Sequence, residues 1–359
     1  MTGSTETTRE PGPRLGASEG DAEAGADTDV GIGVGTGRRR EVARMPDFFV
    51  VGHPKCGTTA LYEMLKAHPQ IFMPDCKEPR YFAPDLRVRF LRGALERGER
   101  PSIPQTLAEY LSLFESAAPE QLVGEASPSY LMSNAAAELI AEAQPRARIV
   151  ALLREPVAFL RSLQLELVQN HVESERDFAA AMAKEQLGPL NVGSDHAPPI
   201  RRYSDRVRYV EQLSRYRAAF PAEQVLVLIY EDFKRDNRAT VERVLRFLGV
   251  DDTVSLEPIQ ANPSVHVRSV WLDRLIGRLY GGQGPLARAS RRAVHATIPG
   301  RLRGEGLQAA RRRLLYGSPR PPDEAFAREL RARFKGEVIA LSEYLGRDLV
   351  GEWGYDRLG

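Results

Sequence analysis

Residues Phe48-Phe49-Val50-Val51-Gly52-His53-Pro54-Lys55-Cys56-Gly57-Thr58-Thr59-Ala60-Leu61 decide how this chain is read. Phe48 to Val51 is a short apolar run of strand formers. Gly52, Pro54 and Gly57 supply turn chemistry, and Thr58 and Thr59 fall where a helix would begin. A strand, a tight loop and a helix start aim backbone N–H groups and a helix N-terminus at one point. That arrangement suits an anion, above all a phosphate.

The loop is close to the nucleotide-binding pattern GxxxxGK[ST] and departs from it at one place. Gly52 and Gly57 keep the spacing, but Thr58 stands where the pattern has lysine. The lysine lies inside the loop, at Lys55. In ATP-dependent enzymes that lysine reaches the β- and γ-phosphates, and the neighbouring hydroxyl holds magnesium. A cation at the Lys55 position addresses a different atom of the ligand, which speaks against a kinase or ATPase.

Two more apolar runs follow, Arg148 to Leu153 and Val225 to Tyr230. The first shows little alternation, as expected of a strand covered on both faces. Strands alternating with helical segments predict an α/β fold of three layers, α/β/α, with a central parallel sheet. Arg154 emerges at the C-terminal end of its strand, where ligands of open α/β sheets gather. Pro156 is placed as the first residue of the next helix, with Ser162 two turns on.

The sequence resembles the sulfotransferases that use 3′-phosphoadenosine 5′-phosphosulfate (PAPS). Pro54-Lys55-Cys56-Gly57-Thr58-Thr59 is similar to their 5′-phosphosulfate loop. Ile149-Val150-Ala151-Leu152-Leu153-Arg154-Glu155-Pro156 with Ser162 is similar to their 3′-phosphate site. The resemblance covers roughly residues 46–270. It implies PAPS as co-substrate, held by Lys55, Cys56, Gly57, Thr58, Thr59, Arg154 and Ser162, with no metal. It implies Lys55 as the group that stabilises the leaving oxygen. In Lys77-Glu78-Pro79-Arg80-Tyr81-Phe82 it implies Glu78 as the base on the acceptor. Tyr203 resembles a position near the co-substrate, and Arg268 a basic loop that closes over the 3′-phosphate. Tyr130 and His171 are candidates for the acceptor pocket. Members acting on glycosaminoglycans often have lysine at the place of Ala126, so a sulfated polysaccharide acceptor is less favoured. The family often has Asp at position 155 and Arg at 159, where this chain has Glu155 and Phe159. Small-molecule, carbohydrate and lipid-linked acceptors stay open, as do the alternatives of a small-molecule kinase and a non-catalytic nucleotide-binding module.

Composition narrows the setting. With 359 residues, 42% of them hydrophobic, the chain can build one large α/β domain. A formal net charge of +2 gives no reason to expect nucleic acid. Cys56 and Cys76 form no disulfide framework. There is no apolar run of membrane-spanning length and no secretory pattern at the N-terminus, so the expected location is cytoplasmic. Residues 1–45 are poor in large apolar side chains and read as a disordered tail. The domain is expected over 46–359, and 271–359 reads as a helical, arginine-rich part. Its basic residues could meet an anionic membrane surface. Asp323 to Leu345 is predicted as a helix that packs back on the domain through Phe326, Leu330, Phe334, Ile339 and Leu345.

Overall fold

A computed structural model of the chain describes residues 44–87, 103–170, 172–185, 203–257, 266–267, 316–317 and 323–358. The expectations for the N-terminal tail up to residue 43, for His171, for Arg268 and for the arginine-rich stretch up to 315 lie outside the described residues.

Five strands make a parallel sheet: β1 (Phe48–Gly52), β2 (Ile71–Phe72), β3 (Leu122–Ala126), β4 (Arg148–Leu153) and β5 (Val225–Ile229), in the order β2-β3-β1-β4-β5. β1 lies at the centre, with Val50 opposite Ala126 on one side and Val150 on the other. Phe48 to Val51 and Ile149 to Leu153 are buried, as their unbroken apolar runs predict for strands covered on both faces. The chain builds β1, β2 and β3 on one side, then crosses to β4 and β5 on the other. The ends of β1, β3 and β4 therefore border the crevice where the strand order reverses, the usual ligand position in such sheets.

Helices flank the sheet: α1 (Thr58–Lys66), α2 (Leu107–Ser112), α3 (Ala136–Ala143), α4 (Pro156–Gln169), α5 (Phe178–Lys184), α6 (Tyr209–Ala219), α7 (Tyr230–Arg235), α8 (Asn237–Leu248), α9 (Glu324–Leu345) and α10 (Leu349–Glu352). Their ends follow local chemistry. Asp236 caps α8, and Gly249 ends it in the left-handed conformation. Asp323 and Gly346 do the same for α9. The sequence suggests Asn134 as the cap of α3; instead the Ser133 hydroxyl accepts from the N–H groups of Ala135 and Ala136, at 3.2 and 3.0 Å. Asp85 takes the Asn134 N–H at 2.9 Å.

α9 packs through Ala327, Leu330, Phe334, Val338 and Leu341, while Ile339 is 39% exposed. Ile339 follows Val338 by one residue and is thus turned about 100° from the buried face. Phe326 meets Phe178 edge-on at 5.7 Å between centroids. Past α10, the Tyr355 hydroxyl donates to Glu155 at 2.6 Å, tying the end of the described chain to the start of α4. Among the described residues no helix is long and apolar enough to cross a membrane.

Candidate active site

The turn from β1 into α1 is tight because two glycines permit it. Gly52 lies against β4 so closely that a Cβ there would sit 2.5 Å from the Leu152 carbonyl oxygen. Gly57 has φ 88°, and its Cβ would come within 2.9 Å of the Phe233 ring. Lys55 between them is also left-handed, at φ 65°, a conformation that needs surrounding contacts to hold it. Gly57 is the N-cap of α1 and has no side chain with which to close it. The first-turn N–H groups of α1 thus lack an intrahelical acceptor and point, with the positive end of the helix dipole, out of the crevice end of the sheet.

The loop is fixed from within. Cys56 is fully buried, and that burial pushes its thiol up to about 12, so it serves as an inert anchor. His53 is packed between the rings of Phe159 and Tyr209, at 4.6 and 5.5 Å, and its Nε2 lies 2.8 Å from Gln212 Oε1. Burial, aided by the Arg206 charge, pushes its imidazole down to about 3. A neutral ring so held is a structural strut.

Arg154, at the end of β4, donates from Nη1 to the Lys55 carbonyl at 3.0 Å, and its guanidinium lies 4.6 Å from the centre of the Tyr230 ring. The Tyr209 hydroxyl donates to the Arg154 carbonyl at 2.8 Å. Part of the arginine fork therefore shapes the loop. Its buried Nε has no hydrogen-bond partner among the described residues. Ser162 is buried on α4, two turns from Arg154. The ammonium of Lys55 is desolvated, which lowers its pKa; Glu166 opposes that shift and Arg154 adds to it.

Across the crevice, the segment after β2 carries Glu78. Lys77 bridges the two sides: its ammonium donates to Thr59 Oγ1 at 2.8 Å and lies 3.4 Å from Glu78 Oε1. Arg80 pairs with Glu78 Oε2. Glu78 and Arg80 are left-handed, at φ 61° and 54°. The Glu78 N–H donates to the Ala126 carbonyl at 3.0 Å.

The structure thus brings Lys55, Thr58, Thr59, Arg154 and Glu78 to the crevice. Tyr130 is different. It is fully buried, its hydroxyl donates to Glu125 at 2.9 Å and accepts from the Phe82 N–H at 3.1 Å. It packs in the core, whereas the sequence makes it a candidate for the acceptor pocket. Tyr203 is likewise buried, with its hydroxyl 3.4 Å from Glu173. Glu166 is the residue the sequence reading passed over. Half-buried on α4, it is acted on by Lys55, Glu78, Arg206 and Lys77, and burial raises its pKa. It stands four residues after Ser162, on the same helix face, and that spacing was the signal available.

A parallel sheet with an uncapped helix after its central strand, a lysine in the intervening loop and an arginine at the next strand end define an α/β protein of P-loop-like form. The chain belongs to the sulfotransferase family, whose profile matches residues 46–254. It is similar to human carbohydrate sulfotransferase 15, at 27% identity over 57% of this chain and 44% of that protein. It is also similar to human heparan sulfate glucosamine 3-O-sulfotransferase 6, at 27% identity over 59% of this chain and 54% of that one. The chain thus spans about half the length of these relatives. The crystal structure of a sulfotransferase from Alicyclobacillus acidocaldarius shares the fold, with a TM-score of 0.57, 24% identity, and coverage of 86% of this chain and 98% of that one.

Proposed function

We propose that the protein transfers a sulfuryl group from PAPS to a hydroxyl or amine of an acceptor. One observation carries the reading: Lys55 and the open N-terminus of α1 share the crevice with a carboxylate, Glu78, which Lys77 joins to Thr59 in the first turn of α1. The donor set fits a co-substrate with two separate anionic ends. The α1 N–H groups and the hydroxyls of Thr58 and Thr59 would hold the phosphosulfate, and the unpartnered Nε of Arg154 with Ser162 the 3′-phosphate. PAPS supplies the activated sulfuryl group. Lys55 offsets negative charge growing on the leaving oxygen, in a desolvated setting where such a charge counts most. Glu78 accepts the acceptor's proton.

The printed names of the relatives make a carbohydrate the first acceptor class to screen. Cys56 and Cys76 are free thiols, in keeping with the cytoplasmic setting this reading proposes. The test is calorimetric titration with adenosine 3′,5′-bisphosphate beside ATP with magnesium. Tight binding of the bisphosphate and none of ATP is the expected result. The reverse would overturn the reading in favour of a kinase.

A further inference from the structure

Glu78 sits in a backbone that does not hold itself. Residues 78 and 80 are both left-handed and neither is glycine, so neighbouring contacts must over-determine the bend. Those contacts come from one place, the end of β3 and the turn after it. The Glu78 N–H donates to the Ala126 carbonyl at 3.0 Å, the Arg80 N–H to Ser127 Oγ at 3.1 Å, and the Phe82 N–H to the Tyr130 hydroxyl at 3.1 Å. Two of the three acceptors are side-chain hydroxyls that need orienting.

One of them, that of Tyr130, leads to Glu125. Tyr130 donates to Glu125 Oε2 at 2.9 Å, and Tyr110 of α2 donates to the same oxygen at 2.8 Å. The nearby Ser127 side chain favours the charged form of this carboxyl. Glu125 is fully buried. Rings close the surroundings: Tyr81 stacks on Tyr110 at 4.7 Å, and Phe82 meets Tyr110 and Tyr130 edge-on at 5.3 and 6.2 Å. Glu125 Oε2 is thus the shared acceptor of two tyrosine hydroxyls in a buried cluster, and one of them, Tyr130, holds the Phe82 N–H of the Glu78 segment.

We propose that Glu125 is a positioning residue for Glu78: through Tyr130 it holds residues 78–82 in the bend that presents the Glu78 carboxylate to the crevice. The catalytic part of this inference rests on the sulfotransfer reading above; the clamp itself does not. The clamp is also sensitive to pH. Burial raises the Glu125 carboxyl to about 7; the Ser127 side chain and the hydrogen bonds from Tyr110 and Tyr130 oppose that shift, and the Glu78 charge adds to it. Its charge acts in turn on Cys76 and on Tyr216 of α6. An ionised carboxylate accepts more strongly than a neutral acid, so the clamp tightens as pH rises through that range.

The experiment compares Glu125→Gln with the parent protein by hydrogen exchange of the 78–82 amides, by kcat across pH, and by affinity for adenosine 3′,5′-bisphosphate. Gln is a neutral acceptor at every pH and mimics the loosened form. At pH 8 the segment amides should exchange faster and kcat fall by about tenfold or more, as misplacement of a reacting group predicts, with bisphosphate affinity within about twofold. The parent's rise in kcat near pH 7 should vanish in the variant. Unchanged exchange together with an unchanged pH profile would overturn the proposal, as would equal losses of kcat and nucleotide affinity. If Glu125→Gln does not fold, Tyr130→Phe keeps the carboxylate and cuts one arm: faster exchange at Phe82 supports the clamp, and unchanged exchange overturns it. Faster exchange without any sulfotransfer in the parent would leave the clamp standing and sink the functional reading instead.

Discussion

Two helices leave the same edge of the sheet from neighbouring strands, and their N-termini are finished in opposite ways. α1 begins at Gly57, which offers no side-chain acceptor. α4 begins after Glu155, whose carboxylate accepts from the N–H groups of Val157 and Ala158 at 3.1 and 2.6 Å. Tyr355 locks that carboxylate, and Glu231 accepts the Glu155 N–H at 3.3 Å. One helix end carries its own anion; the other is left for a ligand. Both dipoles point at the crevice, yet only the open one can take a phosphate group without displacing a protein carboxylate. The cation stands accordingly in the loop before α1, and the arginine before α4 is turned partly back onto that loop.

The sharpest test of this contrast is Lys55→Ala. Turnover should fall by roughly 100- to 1000-fold, the usual cost of removing one preorganised transition-state charge. Affinity for adenosine 3′,5′-bisphosphate should change far less. Steady-state kinetics beside calorimetry would separate the two, and full turnover in the variant would refute the assignment. Next comes Gly57→Ala, which puts a Cβ against Phe233 in a left-handed backbone. Stability in denaturant should drop by roughly 1–3 kcal/mol, and bisphosphate binding should weaken with it. Retained stability and affinity would show that the open turn tolerates a side chain.

A smaller effect is expected on the closed side. Glu155→Ala should cost about 1–2 kcal/mol of stability as a lost cap, with a single bisphosphate still bound per chain. A second bound anion would mean that α4 can be opened, breaking the contrast. Smallest is Glu166→Gln. Glu166 favours the protonated form of Lys55, against desolvation, which lowers the Lys55 pKa from 10.5. Lys55 must be cationic to act, so activity is lost as pH rises through its pKa. Removing the Glu166 charge should move that alkaline limb to lower pH, and Glu166→Asp should restore part of it. A limb that does not move would exclude the pairing.

The parts legible in the sequence are those whose signal is local. Arg148 to Leu153 is a strand from end to end because every inward-facing residue is apolar. Gly57, Thr58 and Lys55 announce a loop because turn chemistry acts over a few residues. Asp323 and Gly346 mark α9 for the same reason. Side-chain partnership over long separations is not written locally. Nothing around Tyr130 says that its hydroxyl meets a backbone N–H 48 residues earlier. Nor does a lone Glu125 on an apolar strand reveal two tyrosines converging on it. Glu166 was accessible in principle through its spacing from Ser162, but a glutamate on a helix is ordinarily solvated, and only the packed structure shows Lys55 and Glu78 acting on it. Ile339 was misplaced because Val338 and Ile339 are adjacent and both apolar, and only packing decides which turns inward.

The hydrogen bond from Tyr355 to Glu155 joins positions 200 residues apart. Its consequence concerns the order in which the molecule assembles. The β1–β4 pair and its loop bring together parts of the chain about half as far apart, while the lock on α4 must wait for the most distant segment to dock. Loop-closure entropy opposes such non-local contacts until much of the fold exists. A refolding chain should therefore gain its sheet before it gains a rigid wall beside Arg154, and nucleotide affinity should recover later than secondary structure.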